Sequence, residues 1–286
     1  MIDLSSLISL LTLEKKDTHH FVGQNYKTAW GRVFGGQVLG QSLHAAYQTV
    51  PKDRIAHSMH GYFILGGDIN VPIEYHVDAI RDGKSFTTRR VVAFQDGKAI
   101  FNMSASFHLE EDGVDHQITM PNVLTPELLL TDIQQAESLQ KLDPERYERL
   151  MKAHPQIFEF RPVGKAIYLE NRNSSPLSHI WFKTKEKTEA DISLQHQLLA
   201  FASDYSLLLS ATLPHRKELE HARMYYASLD HALWFHRDFK IDDWLLYAIE
   251  SPSASNARGF SRGSIFDRSG KMIASVSQEG LMRKYN

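Results

Sequence analysis

The sequence predicts an α+β protein made of two copies of one module, each an antiparallel sheet wrapped around a central helix. Three observations carry this. First, residues 89–106 read RRVVAFQDGKAIFNMSAS and residues 262–279 read RGSIFDRSGKMIASVSQE. At an offset of 173 Gly97 falls on Gly270, Arg89 on Arg262, Lys98 on Lys271, Ile100 on Ile273 and Ser104 on Ser277. A fixed offset of this kind marks an internal repeat, and both segments read as strand, glycine-containing turn, strand. Second, a long apolar, helix-like stretch lies upstream of each copy, at 34–50 and at 194–213. Third, the run from Leu198 to Leu209, LLAFASDYSLLL, is apolar almost all round. A helix of that composition belongs in a core rather than on a surface.

The elements follow in order. An N-terminal module is expected over 1–112. Gly35 and Gly36 open its helix, VFGGQVLGQSLHAAYQTV, and Pro51 closes it. Strands are expected at 57–65, 73–81, 85–95 and 98–109, separated by the turn signals GGD, RDGK and QDGK. A connector is expected over 113–155, with two helix-like stretches, TPELLLTDIQQAESLQKL and DPERYERLMKAH, punctuated by Pro121, Pro126 and Pro144. A C-terminal module is expected over 156–286, with strands at 157–162, 180–185, 223–229, 245–250, 259–267 and 272–282. One helix with several antiparallel strands, twice over, is the double hot-dog architecture. Two such sheets joined edge to edge hide strand edges that otherwise invite aggregation.

Composition narrows the function classes. The net charge of −2 and pI near 6.7 offer no basic field for nucleic acid. The absence of cysteine excludes disulfides, a thiolate zinc site and a Cys nucleophile, and it suits a reducing, cytoplasmic setting. No uncharged run approaches the ~20 residues of a membrane span. The opening MIDLSSLISLLTLEKK lacks a basic region and a small-residue cleavage site, so no signal peptide is expected. The terminal RKYN is not a peroxisomal Ser-Lys-Leu address.

Two polar residues stand out against apolar surroundings. Gln278 occupies the position of Ala105 in the other copy. Strand alternation places Ala99, Phe101, Met103, Ala105 and Phe107 on one wholly apolar side. In the second copy that side carries Met272, Ala274, Val276 and then Gln278. A buried amide without partners costs on the order of 1–3 kcal/mol, so Gln278 is a core Gln satisfied by backbone, a residue at a frayed strand end, or a functional group. Asp204 is the only charge between His196 and His215. Placed on a helix, it neighbours Ala200, Phe201 and Leu208. Desolvation there raises a carboxyl pKa, and such groups are functional candidates; the alternative is an Asp at a helix kink or facing a wet interface.

Other signals are discounted. Gly259-Phe260-Ser261-Arg262-Gly263 spells G-x-S-x-G, but a nucleophile elbow needs a strand-turn-helix context and a downstream His. The segment continues as a strand, and no His follows His236. The 15 histidines show no H-E-x-x-H motif, and no metal site or cofactor is expected.

Five long motifs occur in one order: VFGGQVLGQSLHAA, RDGKSFTTRRVVAFQDGKAIFNMSASF, DHALWFHRDF, DDWLLYAIESPSASNARGF and SVSQEGLMR. Together they closely resemble the acyl-CoA thioesterase II family over nearly the whole chain, most weakly over 112–190. The resemblance implies a double hot-dog hydrolase that cleaves fatty acyl-CoA to free acid and coenzyme A. It implies a catalytic set at Asp204, Ser228 and Gln278, with Ser228 where bacterial relatives often carry Thr. Asp204 would accept a proton from water or orient it, while Ser228 and Gln278 would hold that water. The N-terminus of the first helix, Gly35-Gly36-Gln37, would bind substrate and supply N–H groups to the oxyanion. Arg258, with Arg262 and Lys271, is a candidate for the coenzyme A phosphates. A hot-dog hydratase is the alternative enzyme, although its D-x-x-x-x-H spacing fails here, since Leu209 stands five residues after Asp204. A non-catalytic acyl-CoA-binding protein is the third reading. The apolar connector leaves room for a homodimer or homotetramer.

Overall fold

A computed structural model describes residues 3–220 and 222–285. The chain opens with α1 (Leu4–Leu11), β1 (Glu14–Lys15), β2 (His20–Gly23) and α2 (Gly35–Tyr47). β3 (Ile55–Phe63), β4 (Ile73–Asp82), β5 (Phe86–Gln95) and β6 (Lys98–His108) follow. After α3 (Asp132–Leu142) and α4 (Pro144–Ala153) come β7 (Phe158–Pro162), β8 (Leu177–Thr184), α5 (Ile192–Ser203) and α6 (Arg216–Leu219). The chain ends with β9 (Met224–Ser228), β10 (Asp230–Phe235), β11 (Leu245–Ser255), β12 (Arg258–Asp267) and β13 (Met272–Lys284).

These strands form one 13-stranded sheet, in the order β1-β2-β4-β5-β6-β3-β10-β13-β12-β11-β8-β7, with β9 paired to β13. The joint between the two halves is the antiparallel pair β3–β10, where Met59 faces Leu233. The sheet thus wraps two helices rather than one. Along α5 every residue from Gln195 to Ser203 is buried, as the all-round apolar sequence requires. Leu39 and Leu43 of α2 and Leu198 and Leu199 of α5 are fully buried in the shared core, each contributing roughly 1.5–3 kcal/mol of transfer free energy.

The glycines of α2 have a packing reason beyond opening a helix. A Cβ on Gly36 would stand 2.4 Å from the carbonyl oxygen of Phe201, and one on Gly40 would stand 3.1 Å from that of Gln197. Both glycines therefore let α2 lie directly against the backbone of α5.

Three expectations need correction. The stretch 194–213 is not one helix. It ends at Ser203, Asp204 forms the C-cap, Ser206 adopts φ 66°, and Leu208–His215 continues as a 3-10 segment. Asp and Ser favour caps and turns because their side chains compete with backbone hydrogen bonding, so the run breaks at Asp204-Tyr205-Ser206. Leu208 is then no longer a helical neighbour of Asp204.

Strand β10 was not expected. Its inward positions are His231, Leu233 and Phe235, and the inward histidine interrupts the apolar alternation that would reveal it.

The repeat aligns β6 with β13 at 173, but Ala105 faces Arg89 across its ladder while Gln278 faces Ser261. Counted from the equivalent pairs Phe94–Ala99 and Phe266–Met272, the second hairpin connection is one residue longer. The structural counterpart of buried Arg89 is therefore buried Ser261, not exposed Arg262.

Candidate active site

Three elements bring the predicted polar groups to one place. Asp204 caps α5, Ser228 ends β9, and Gln278 faces inward on β13. All three line one cavity of about 600 Å³, whose walls include Phe34, Val38, Phe63 and Leu208. β9 runs beside β13 with Ser228 opposite Gly280, which sets the hydroxyl next to Gln278 two residues away.

The bonds among these groups have a definite direction. Gln278 donates from Nε2 to Ser228 Oγ at 2.5 Å. Ser228 is the acceptor in that bond, so its own hydroxyl hydrogen is free to point into the cavity. At the other end of the amide, Oε1 lies 2.9 Å from His231 Nδ1, and His231 Nε2 lies 2.9 Å from Ser203 Oγ. His231 is 1% exposed. A ring protonated on Nδ1 donates to Gln278 and accepts at Nε2, which turns the amide NH2 toward Ser228.

Asp204 is held from the other helix. The Gly36 N–H, in the first turn of α2, donates to Asp204 Oδ2 at 2.9 Å. A Cβ on Gly35 would stand 2.7 Å from the same oxygen, so only glycine lets the helix start this close. Burial pushes the Asp204 carboxyl above the ordinary Asp range, while His231, the Gly36 N–H and the Gln278 amide act against that rise. The position at the C-terminal end of α5 also disfavours a negative charge, and the N-terminal end of α2 favours one. Burial likewise holds His231 below its usual value, against the pull of the Asp204 carboxylate.

Of the expected substrate-binding residues, Gly35 lines the cavity. Gly36 does not offer its N–H to an oxyanion, because that N–H holds Asp204. The Gln37 side chain turns away. Its Nε2 donates to Gln24 O, Asn25 Oδ1 and Gln41 Oε1 in a buried cluster, and its own N–H bonds to Phe34 O. Arg258 is ion-paired with Glu279 at 2.9 Å and does not line the cavity. Arg262 and Lys271 are similarly engaged by Glu250 and Asp267. Ser261 is fully buried and accepts from Ser210 Oγ at 2.9 Å, so no substrate reaches it. Among the described residues, His20, Glu74 and His76 form one cluster able to hold a metal ion. It lies on β2 and β4 and does not line this cavity.

His231 escaped the sequence reading, although a signal was present. β3 carries Met59 opposite Ala105, and the second copy sets His231 beside Gln278. An apolar pair in one half is replaced by a polar pair in the other.

The family described as acyl-CoA thioesterase matches residues 154–281, and the acyl-CoA thioesterase N-terminal domain matches 26–108. Acyl-CoA thioesterase 2 of Haemophilus influenzae is 41% identical over 284 residues, covering 98% of each chain. The crystal structure of an acyl-CoA thioesterase II from Mycobacterium marinum superposes with a TM-score of 0.81 at 36% identity, covering 98% of this chain and 99% of that one. A protein from Alicyclobacillus acidocaldarius described as having a hot dog fold is only 16% identical, yet reaches 0.78 over 98% of this chain and 99% of its own, so the fold itself is shared. With family models matching both halves and a relative 41% identical over 98% of each chain, the chain belongs to the acyl-CoA thioesterase family.

Proposed function

We infer that this protein hydrolyses fatty acyl-CoA thioesters to free fatty acid and coenzyme A by direct attack of water. The observation that carries this is the convergence of Asp204, Ser228 and Gln278 on one largely apolar cavity. Water held by Ser228 and Gln278 would lie beside a carboxylate able to accept its proton, converting a bimolecular encounter into a positioned one. The raised affinity of Asp204 for a proton suits a general base, which works best when its pKa approaches the working pH. His231 does not support the hydratase reading. It is buried, and both ring nitrogens already have partners, so it has no free nitrogen for acid-base exchange with substrate.

We divide the chain into an N-terminal module (1–112), a connector (113–155) and a C-terminal module (156–286) that supplies the three catalytic side chains, with the first module contributing Gly35 and the Gly36 N–H. Release of thiol from medium- to long-chain acyl-CoA, followed with a thiol reagent, tests the activity. Turnover is expected to persist in chelator and to survive Ser261→Ala with a stability loss of about 0.5–1.5 kcal/mol for the lost hydrogen bond. Loss of turnover in chelator with rescue by a divalent ion, or a stable acyl adduct on Ser261, overturns the water mechanism.

We also propose a homodimer or homotetramer. Leu124, Leu128, Leu130 and Leu142 around the connector are 56–81% exposed, more apolar surface than a solvated segment needs. Sedimentation of a monomer at micromolar concentration removes this reading. The cysteine-free composition supports a cytoplasmic location, and recovery in a secreted or membrane fraction would count against it. No helix among the described residues is long and apolar enough to cross a membrane.

A further inference from the structure

The cavity that holds Asp204 opens beside a cluster of arginines and tyrosines that the catalytic set leaves unused. In the β9–β13 ladder Tyr225 lies opposite Arg283, and the Tyr285 N–H donates to Arg223 O at 2.9 Å, extending the ladder outward. Residues two apart on a strand share a face, and directly opposed residues share it too. Arg223, Tyr225, Arg283 and Tyr285 therefore project from one face.

The side chains interleave. The Tyr225 and Tyr285 rings are 6.1 Å apart, and the Arg223 guanidinium lies 5.6 Å from the Tyr285 ring. Arg32, from the segment leading into α2, crosses to the same place. Its guanidinium lies 5.0 Å from the Tyr225 ring and donates to the Tyr225 hydroxyl. Arg32 and Tyr225 both line the cavity that contains Asp204, Ser228 and Gln278. This links the cluster physically to the reaction centre.

Arg90, Arg258, Arg262 and Arg268 each pair with a carboxylate. Arg32, Arg223 and Arg283 pair with none among the described residues, and each is exposed. Exposed arginines without a carboxylate partner among the described residues also occur at Arg81 and Arg172, so it is the gathering of several beside two tyrosine rings that sets this cluster apart. On a chain of net charge −2, two guanidinium groups over two tyrosine rings, with exposed Arg283 opposite Tyr225 on the same strand face, form a local positive field. Guanidinium forks match phosphate oxygens, and exposed rings accept a stacked base.

We propose that Arg32, Arg223, Arg283, Tyr225 and Tyr285 bind the phosphorylated adenosine end of the acyl-CoA substrate, its diphosphate and 3′-phosphate on the arginines and its base on the tyrosines. This rests on the thioesterase reading above and adds a carrier preference to it: thioesters of coenzyme A over the same acyl group on a carrier without phosphates. It replaces Arg258, Arg262 and Lys271, whose charges are already met.

The test compares an acyl-CoA with the acyl-pantetheine of the same chain length, which lacks the nucleotide. In Arg223→Glu/Arg283→Glu, the ratio of kcat/KM for acyl-CoA to that for acyl-pantetheine is expected to fall at least ~10-fold. The loss should appear in KM and shrink as salt screens the field. Independently of catalysis, adenosine 3′,5′-bisphosphate should bind the wild-type protein by calorimetry and fail to bind the double variant. An unchanged ratio, with bisphosphate bound equally by both proteins, overturns the proposal. So does a preference for acyl groups on an acidic carrier protein that is lost in the same variant, since that assigns the patch to a protein partner. A wild-type protein that binds the bisphosphate yet cleaves neither thioester keeps the patch and removes the thioesterase reading.

Discussion

Asp204→Asn is expected to lower turnover of acyl-CoA by roughly 10²–10⁴-fold, the scale of losing a general base, while the protein stays folded. The amide keeps the shape and an oxygen for the Gly36 N–H, and it removes a carboxyl that burial drives toward its neutral form. The sign of the stability effect follows from that direction. A carboxyl whose folded pKa is raised contributes stability that is present below its unfolded value near ~3.9 and is lost as pH rises through the folded value. At neutral pH the ionised Asp204 is therefore a cost to the fold, and the Asn variant should melt at the same temperature as wild type or above it. The pH profile carries a second signature. Wild-type kcat/KM should fall toward acid with a midpoint above the ordinary Asp value, and this limb should vanish in the variant. A folded Asn variant with near wild-type turnover removes Asp204 from the mechanism.

How far the sequence led can be traced residue by residue. The helix cores were readable because α5 is apolar on every side, and the β5–β6 and β12–β13 hairpins because Gly97 and Gly270 mark turns, at φ 73° and 87°. Asp204 and Gln278 were readable as polar groups on apolar faces. Ser228 rested on resemblance, since a serine at the end of a strand has nothing in its local sequence to single it out.

Several of the failures share a cause: they depended on a partner far away in the chain. Gly36 and Gln37 look alike as helix-opening residues, yet one N–H meets Asp204 from 168 residues away and the other closes a local turn to Phe34. Arg258 looks like a free cation until Glu279 of the neighbouring strand neutralises it. The extra loop residue that sets Ser261 rather than Arg262 beneath Gln278 becomes visible only in the ladder register.

Gln278→Ala is the variant that separates function from packing most sharply, because the chain contains its own control. Ala105 occupies the equivalent inward position on β6, buried to the same 1%, opposite Met59 and Arg89. If the second copy needed only packing there, alanine would restore a solution the protein already uses. The structure adds a consequence, because the change also takes the acceptor from His231 Nδ1. A buried donor left without a partner costs about 1–3 kcal/mol, reduced where water from the adjoining cavity replaces the lost oxygen. Turnover should fall by at least ~10-fold, about 1.4 kcal/mol of barrier. The loss should fall mainly in kcat, since the water held by Ser228 and Gln278 matters at the chemical step rather than in substrate binding. The control is Ala105→Gln, which sets an amide beside Met59 with no histidine or serine to meet it. It should cost stability on the order of 1–3 kcal/mol and leave kcat close to wild type. Melting and turnover of both variants decide the matter. If Gln278→Ala loses stability but keeps its rate, the amide is a strut for His231 and the chemistry rests on Asp204 and Ser228.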